Sequence, residues 1–185
     1  MRELILGGAR SGKSRLAESR MTEYEQTGMQ VVYIATAEAL DEEMAVRLQH
    51  HRANRPAHWF TLEEPVHLAQ ALKEYAAPDR CLLVDCLTLW LSALLFKGEG
   101  GVQLEAGLPL TCPKFWEERQ ALLDVLPQLP GEIVLVSNEI GSGVVPENRL
   151  ARRFADEQGR LNQEVAALCE RVTLSIAGLP LTLRG

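Results

Sequence analysis

Short, continuous apolar runs alternate along this chain with longer segments in which apolar positions recur every three to four residues. The runs are Glu3–Leu6, Val31–Thr36, Cys81–Asp85, Ile133–Ser137 and Val172–Ile176. They are rich in Val, Ile and Leu and lack polar alternation, as strands do when both faces are covered. Leu181–Leu183, following the turn Gly178-Leu179-Pro180, predicts an antiparallel edge strand. Helical spacing predicts a helix from Lys13 to about Thr27, with Leu16, Ala17 and Met21 on one side and Gly28 as its stop. It predicts another from Asp41 to about Ala53, opening on three acids suited to a helix's positive end and aligning Met44, Leu48 and His51. Pro65–Tyr75, Leu87–Phe96, Lys114–Leu126 and Glu147–Cys169 complete the set. Strands alternating with helices in this way predict an α/β fold with a mainly parallel sheet. Lys97 through Pro113, with three glycines near its start, reads as a surface loop rather than a domain boundary.

Composition narrows the class. At 185 residues, 46% apolar and 24% charged, one domain over 1–185 can bury enough surface to fold without disulfides or a structural metal. The net charge of −6 supplies no basic field for a nucleic-acid backbone or an anionic membrane, so any phosphate must be bound by a local device. Met1–Leu6 runs straight into Gly7-Gly8, too short for a signal-peptide core, and no stretch approaches about 20 uncharged apolar residues. The expectation is a cytoplasmic protein. Cys81, Cys86, Cys112 and Cys169 show no CxxC spacing and read as buried thiols.

Gly7-Gly8-Ala9-Arg10-Ser11-Gly12-Lys13-Ser14 provides the local device. It fits G-x-x-x-x-G-K-[ST] and lies between a strand and a helix, the context the motif requires. Its glycines let backbone N–H groups wrap a phosphate against the helix's positive end. Lys13 is placed to reach β- and γ-phosphate oxygens, and the Ser14 hydroxyl to ligate Mg²⁺. Asp85 ends an apolar strand, a position from which such proteins hold Mg²⁺ directly or through water; it also suits the N-cap of the Leu87 helix. No Asn-Lys-x-Asp follows a later strand; Ser137 leads instead into Asn138-Glu139-Ile140-Gly141. These residues therefore indicate a small-molecule kinase rather than a guanine-specific switch.

One segment exceeds that description. Arg47, His50, His51, Arg52 and Arg55 concentrate basic groups in an acidic chain. His50 and His51 point about 100° apart on a helix and cannot serve one site, whereas Arg47 and His51 share a face. A solvated helix end would show the same pattern. Taken in order, Gly7–Arg15, Tyr33-Ile34-Ala35-Thr36-Ala37, Asp41, Glu43-Met44, Arg47, His51-Arg52, Arg55-Pro56, Trp59, Thr61, Glu63, Asp85-Cys86-Leu87-Thr88 and Ser137-Asn138-Glu139 to Val145-Pro146 resemble the bifunctional adenosylcobinamide kinase / adenosylcobinamide-phosphate guanylyltransferase family of cobalamin biosynthesis. The resemblance spans nearly the whole chain. Ala93 departs from it, standing where the family often has Asn.

The resemblance implies a single P-loop domain with a mainly parallel, RecA-like sheet flanked by helices, acting as a homotrimer. It implies phosphorylation of adenosylcobinamide by ATP or GTP, then transfer of GMP from GTP to adenosylcobinamide phosphate through a guanylyl-histidine, with His51 carrying GMP and His50 the alternative. It further implies nucleotide contacts at Ala35, Thr36 and Ala37, at Arg52, Ala53, Asn54 and Arg55, and at Glu63 and Asp85, of which Glu63 alone reads equally as an ordinary loop acid. Asn138 and Glu139 end a strand and rank second, and Arg149, Arg152 and Arg153 read more simply as a solvated helix face. Two other readings compete: a kinase of another small alcohol without guanylyl transfer, and a nucleotide-binding regulator without chemistry.

Overall fold

A computed structural model describes residues 1–38, 55–96, 106 and 112–185. Among them, seven strands form one sheet: β1 (Arg2–Gly7), β2 (Gln30–Ala35), β3 (Phe60–Glu63), β4 (Arg80–Asp85), β5 (Glu132–Asn138), β6 (Arg171–Ile176) and β7 (Leu179–Arg184). Their spatial order is β3-β2-β4-β5-β1-β6-β7, every neighbouring pair being parallel except β6 with β7. The described helices are α1 (Lys13–Gln26), α2 (Leu68–Tyr75), α3 (Leu87–Phe96), α4 (Pro113–Val125) and α5 (Arg149–Leu168).

Alternate residues of the central strands feed two cores. Leu4, Ile34, Val84 and Leu135 pack with Trp90 of α3, Phe115 of α4 and Leu161 of α5. Ile5, Tyr33, Leu83 and Val136 pack on the other face with Ala17 and Met21 of α1. Because both faces are covered, the central strands read as unbroken apolar runs, and their observed limits lie within a residue of the predicted ones, β2 ending at Ala35 rather than Thr36.

Three expectations need correction. The strand β3 carries no apolar signal, since Phe-Thr-Leu-Glu at a sheet edge keeps three of its four residues exposed. The helix expected from Pro65 begins only at Leu68; the Glu64 carboxylate accepts from the N–H groups of Val66 (2.9 Å) and His67 (2.7 Å), holding those residues in a preceding turn. Cys81, Cys86 and Cys169 are buried free thiols as expected, but Cys112 is only partly buried. The expected Asp41–Ala53 helix lies outside the described residues, as does most of the Lys97–Pro113 loop.

The insertion of β5 between β4 and β1 sets the carboxyl ends of the central strands in a row. Gly7 pairs with Asn138, Val136 with Asp85, and Asp85 with Ala35. Ligands of open α/β sheets bind beyond this kind of edge.

Candidate active site

The phosphate loop leaves β1 at Gly7 and enters α1 at Lys13. A Cβ on Gly7 would stand 2.3 Å from the Ser11 hydroxyl oxygen and 2.7 Å from the Ser175 carbonyl oxygen, so the first glycine is required by close approach. Gly12 caps α1 in the left-handed conformation, at φ 93°, which a side chain would strain. The loop is braced from β6 and the turn after it. The Ser175 hydroxyl (2.9 Å) and the Gly178 N–H (2.8 Å) both donate to the Ser11 carbonyl. No side chain caps α1, and its first turn carries no acid. Its leading N–H groups therefore have no side-chain cap among the described residues, and the positive end of the helix dipole lies behind them. A cleft of about 570 Å³ opens there, lined by Arg10 through Arg15 with Ala177 and Gly178.

Lys13 bends back so that Nζ donates to the Gly8 carbonyl at 3.0 Å. Burial lowers its pKa, an effect opposed by the nearby Cys86 and Asp85. Asp85 in turn accepts from the Tyr33 hydroxyl at 2.7 Å. Burial, and then the Asp85 charge, push the Tyr33 phenol well above its ordinary range, so it stays a protonated donor. The Arg55 guanidinium lies 3.6 Å above the Tyr33 ring centroid, a cation–π contact. Its Nε and Nη1 are buried with no hydrogen-bond partner among the described residues. Glu18 of α1 completes the group; burial and the Asp85 charge raise its pKa, while Arg55 opposes them. Lys13, Glu18, Tyr33, Arg55 and Asp85 thus form one electrostatic cluster at the carboxyl edge. Glu18 belongs to no spaced motif, and Tyr33 enters the family resemblance without a site role, so the sequence names neither as a site member.

Thr36 has a different place from the one expected of a nucleotide contact. It is buried, and its hydroxyl donates to the Cys86 carbonyl (2.7 Å) while accepting from the Cys86 N–H (2.9 Å). The side chain ties the end of β2 to the residue after Asp85. Ala35 is likewise buried, its carbonyl accepting from the Glu64 N–H, whereas Ala37 is partly exposed and Glu63 exposed at the end of β3. His50, His51, Arg52, Ala53 and Asn54 lie outside the described residues.

A buried polar network underlies the end of β5. The Ser137 hydroxyl donates to Asn162 Oδ1 (2.7 Å), Gln158 Nε2 donates to Ser137 Oγ (2.9 Å), and Asn162 Nδ2 donates to the Asn138 carbonyl (3.0 Å). From α3, the Thr88 hydroxyl accepts from the Asn138 N–H (2.8 Å). The arginines read as a solvated helix face are partly engaged. Arg152 donates to the carbonyls of Pro146 and Glu147, and Arg153 pairs with buried Glu157 at 3.0 Å; Arg149 is exposed. A second cavity, of about 520 Å³, lies at the opposite edge among Glu25, His58, Trp59, Phe60 and Tyr75. There Glu25 Oε1 already accepts from Trp59 Nε1 (3.2 Å) and lies 2.7 Å from His58 Nε2.

Comparison with known proteins follows the same lines. The family model described as cobinamide kinase / cobinamide phosphate guanyltransferase matches residues 3–183. The bifunctional adenosylcobalamin biosynthesis protein CobP of Pseudomonas aeruginosa is 55% identical over 185 residues, 100% of this chain and 98% of its own length. The protein CobU of Salmonella typhimurium, with the same description, is 41% identical over 191 residues, covering 98% of each chain. Among solved structures, an ATPase from the type III secretion system of pathogenic bacteria superposes with a TM-score of 0.53 at 15% identity. That match covers 98% of this chain and 56% of the other, and speaks for the P-loop ATPase fold alone. Agreement over the full length, on a sheet that places an intact phosphate loop beside Asp85, shows that this chain belongs to the cobinamide kinase / cobinamide phosphate guanyltransferase family, bifunctional enzymes of adenosylcobalamin biosynthesis.

Proposed function

We propose that the enzyme phosphorylates the alcohol of adenosylcobinamide with ATP or GTP, and then transfers GMP from GTP to the resulting phosphate through a guanylyl-histidine, releasing pyrophosphate. The observation that carries this reading is the convergence of Lys13, Asp85 and Arg55 from three separate chain segments on the uncapped start of α1. A nucleotide's phosphates would pair with groups that the described residues leave unsatisfied there, the first-turn N–H groups and the Arg55 guanidinium nitrogens. The loop residues Gly7 to Ser14 bind the phosphates, and Lys13 follows the charge that develops during transfer.

Ser14 and Asp85 together offer Mg²⁺ a hydroxyl and a carboxylate, both hard oxygen donors. Among the described residues no cluster of three His, Cys, Asp or Glu could hold a metal ion. Mg²⁺ held by one or two protein oxygens takes its remaining ligands from water and substrate phosphates. When bound, it neutralises the phosphate charge. Tyr33 holds one Asp85 oxygen in place, and Thr36 fixes the main chain just beyond it. Thr36 therefore contributes by positioning, and Ala35, Ala37 and Glu63, at or just beyond the ends of β2 and β3, are the assigned nucleotide contacts beside it.

His51 is the residue assigned to carry GMP. It stands four residues before Arg55, a separation of at most about 14 Å even in fully extended chain. A neutral imidazole is a competent nucleophile toward the α-phosphate, and the covalent intermediate divides one displacement into two. Arg52, Ala53, Asn54 and Arg55 would bind the departing pyrophosphate and the nucleotide. With [α-³²P]GTP and Mg²⁺ the protein should acquire an acid-labile, base-stable label that His51→Ala abolishes and His50→Ala retains. The reverse pattern would move the assignment to His50. Phosphorylated adenosylcobinamide with no protein label would instead establish a kinase without guanylyl transfer. We further propose a homotrimer acting in the cytoplasm. The apolar side chains on the β7 edge support association; no helix among the described residues is long and apolar enough to cross a membrane.

A further inference from the structure

We infer that the segment from Asn138 to Pro146 receives the acceptor of the kinase reaction, Asn138 aligning its hydroxyl and Ile140, Val144 and Val145 docking its apolar ring. The inference deepens the proposed function and rests on it for the identity of the acceptor.

Asn138 is the end residue of β5 and pairs with Gly7 at the root of the phosphate loop. Val136, the register partner of Asp85, packs in the same core as α1. Two residues further on, Asn138 belongs to that same face of the sheet. Its main chain is held on both sides, by Thr88 at the N–H and by Asn162 at the carbonyl, with Ser137 and Gln158 fixing Asn162 from beneath. Its side-chain Oδ1 is buried and has no hydrogen-bond partner among the described residues. A rigidly mounted amide with an idle acceptor lacks a donor such as an alcohol O–H.

The following loop presents apolar surface to solvent. Val144 is 96% exposed, Val145 73% and Ile140 38%. The loop is tied at both ends. The Glu139 N–H donates to the Gly7 carbonyl (3.0 Å), and Glu139 Oε1 accepts from the Gly141 N–H (2.6 Å). At the far end, Arg152 donates to the Pro146 carbonyl at 2.9 Å. Aliphatic side chains held outward on a loop whose first residue, Glu139, bonds to Gly7 at the root of the phosphate loop suit an acceptor that couples a small alcohol arm to a wide, largely apolar-rimmed corrin ring. A compact polar alcohol would have no use for them.

In the transfer, the acceptor oxygen forms its bond to the γ-phosphorus as the bond from that phosphorus to the β–γ bridging oxygen breaks. The electron pair leaves with the nucleoside diphosphate, and the hydroxyl proton passes to water in the open cleft. An amide is no base, so Asn138 aligns the hydroxyl and takes no proton.

The test measures initial kinase rates against adenosylcobinamide concentration at saturating nucleotide, together with labelling by [α-³²P]GTP, which needs no acceptor. Asn138→Ala and Asn138→Ser should lower kinase kcat on the order of 100-fold. Val144→Ser/Val145→Ser should raise the KM for adenosylcobinamide about 10-fold. All three should bind a fluorescent triphosphate and self-label within about twofold of wild type, a readout that general misfolding would move. Wild-type kinetics in either set of variants, or a loss that tracks nucleotide affinity or self-labelling, overturns the site. A wild-type enzyme that leaves adenosylcobinamide unphosphorylated overturns the functional reading, and the site with it.

Discussion

Thr36 shows how a residue can matter to a site without meeting its ligand. Its single hydroxyl satisfies both the N–H and the carbonyl of Cys86, immediately after Asp85. Replacing it with Val keeps the shape and leaves the buried Cys86 N–H without its partner, while the Cys86 carbonyl keeps only the Trp90 N–H (3.2 Å). The expected loss is about 1 to 3 kcal/mol of stability, read by urea denaturation, with a larger proportional loss of Mg²⁺-dependent turnover than of metal-free nucleotide binding. A Thr36→Val enzyme of wild-type stability would show that the bracket contributes nothing. Glu3 makes the same point for the scaffold. It is a fully buried acid in a strand of apolar neighbours, held by Thr173 (2.9 Å), Arg20 (3.3 Å) and Arg171 (3.7 Å). Its strand position alone gives no hint of those partners.

At the scale of elements, the contrast between α1 and α5 separates ligand-binding from structural helix starts. On α5, Asn148 Oδ1 accepts from the Ala151 N–H at 3.0 Å, consuming an orphan donor as a structural cap does. On α1 the cap is glycine and the donors are left over. The edge strand β7 carries a second unmet requirement. Leu179, Leu181 and Leu183 point the same way by strand alternation and are each more than half exposed, on an outer strand with unpaired main-chain groups. If β7 joins the subunits, light scattering should give about three times 20.5 kDa for the wild type, and Leu181→Asp/Leu183→Asp should shift the mass toward the monomer. A wild-type mass of one subunit would dispose of the trimer.

For the whole molecule, the buried thiols couple stability to pH. Burial pushes Cys81 and Cys169 up to about 12 and Cys86 up to about 11, whereas a thiol in the unfolded chain ionises near its ordinary value of about 8.5. Between these values the unfolded state gives up protons that the folded state keeps, so stability falls as pH rises. The contribution is of order 1 to 2 kcal/mol per thiol between pH 8 and pH 10, measurable as a lower urea midpoint. A midpoint unchanged over that interval would contradict the burial argument.

Much of this architecture was written locally. The phosphate loop, the five central strands and the helices packed on them follow from contiguous patterns, because backbone geometry and burial of one face act over neighbouring residues. The −6 charge likewise required phosphate binding to be a local matter of main-chain amides and a few cations, and the uncapped start of α1 meets that requirement. What the sequence could not decide was which distant residues share the carboxyl edge. β3 was invisible because an edge strand need not be apolar, and Glu18, Tyr33 and Arg55 meet Asp85 only through the order of strands. The engagement of Thr36 and the idle Oδ1 of Asn138 depend on hydrogen bonds between residues about 50 positions apart. Such partnerships are set by sheet register and helix packing, which no local pattern encodes.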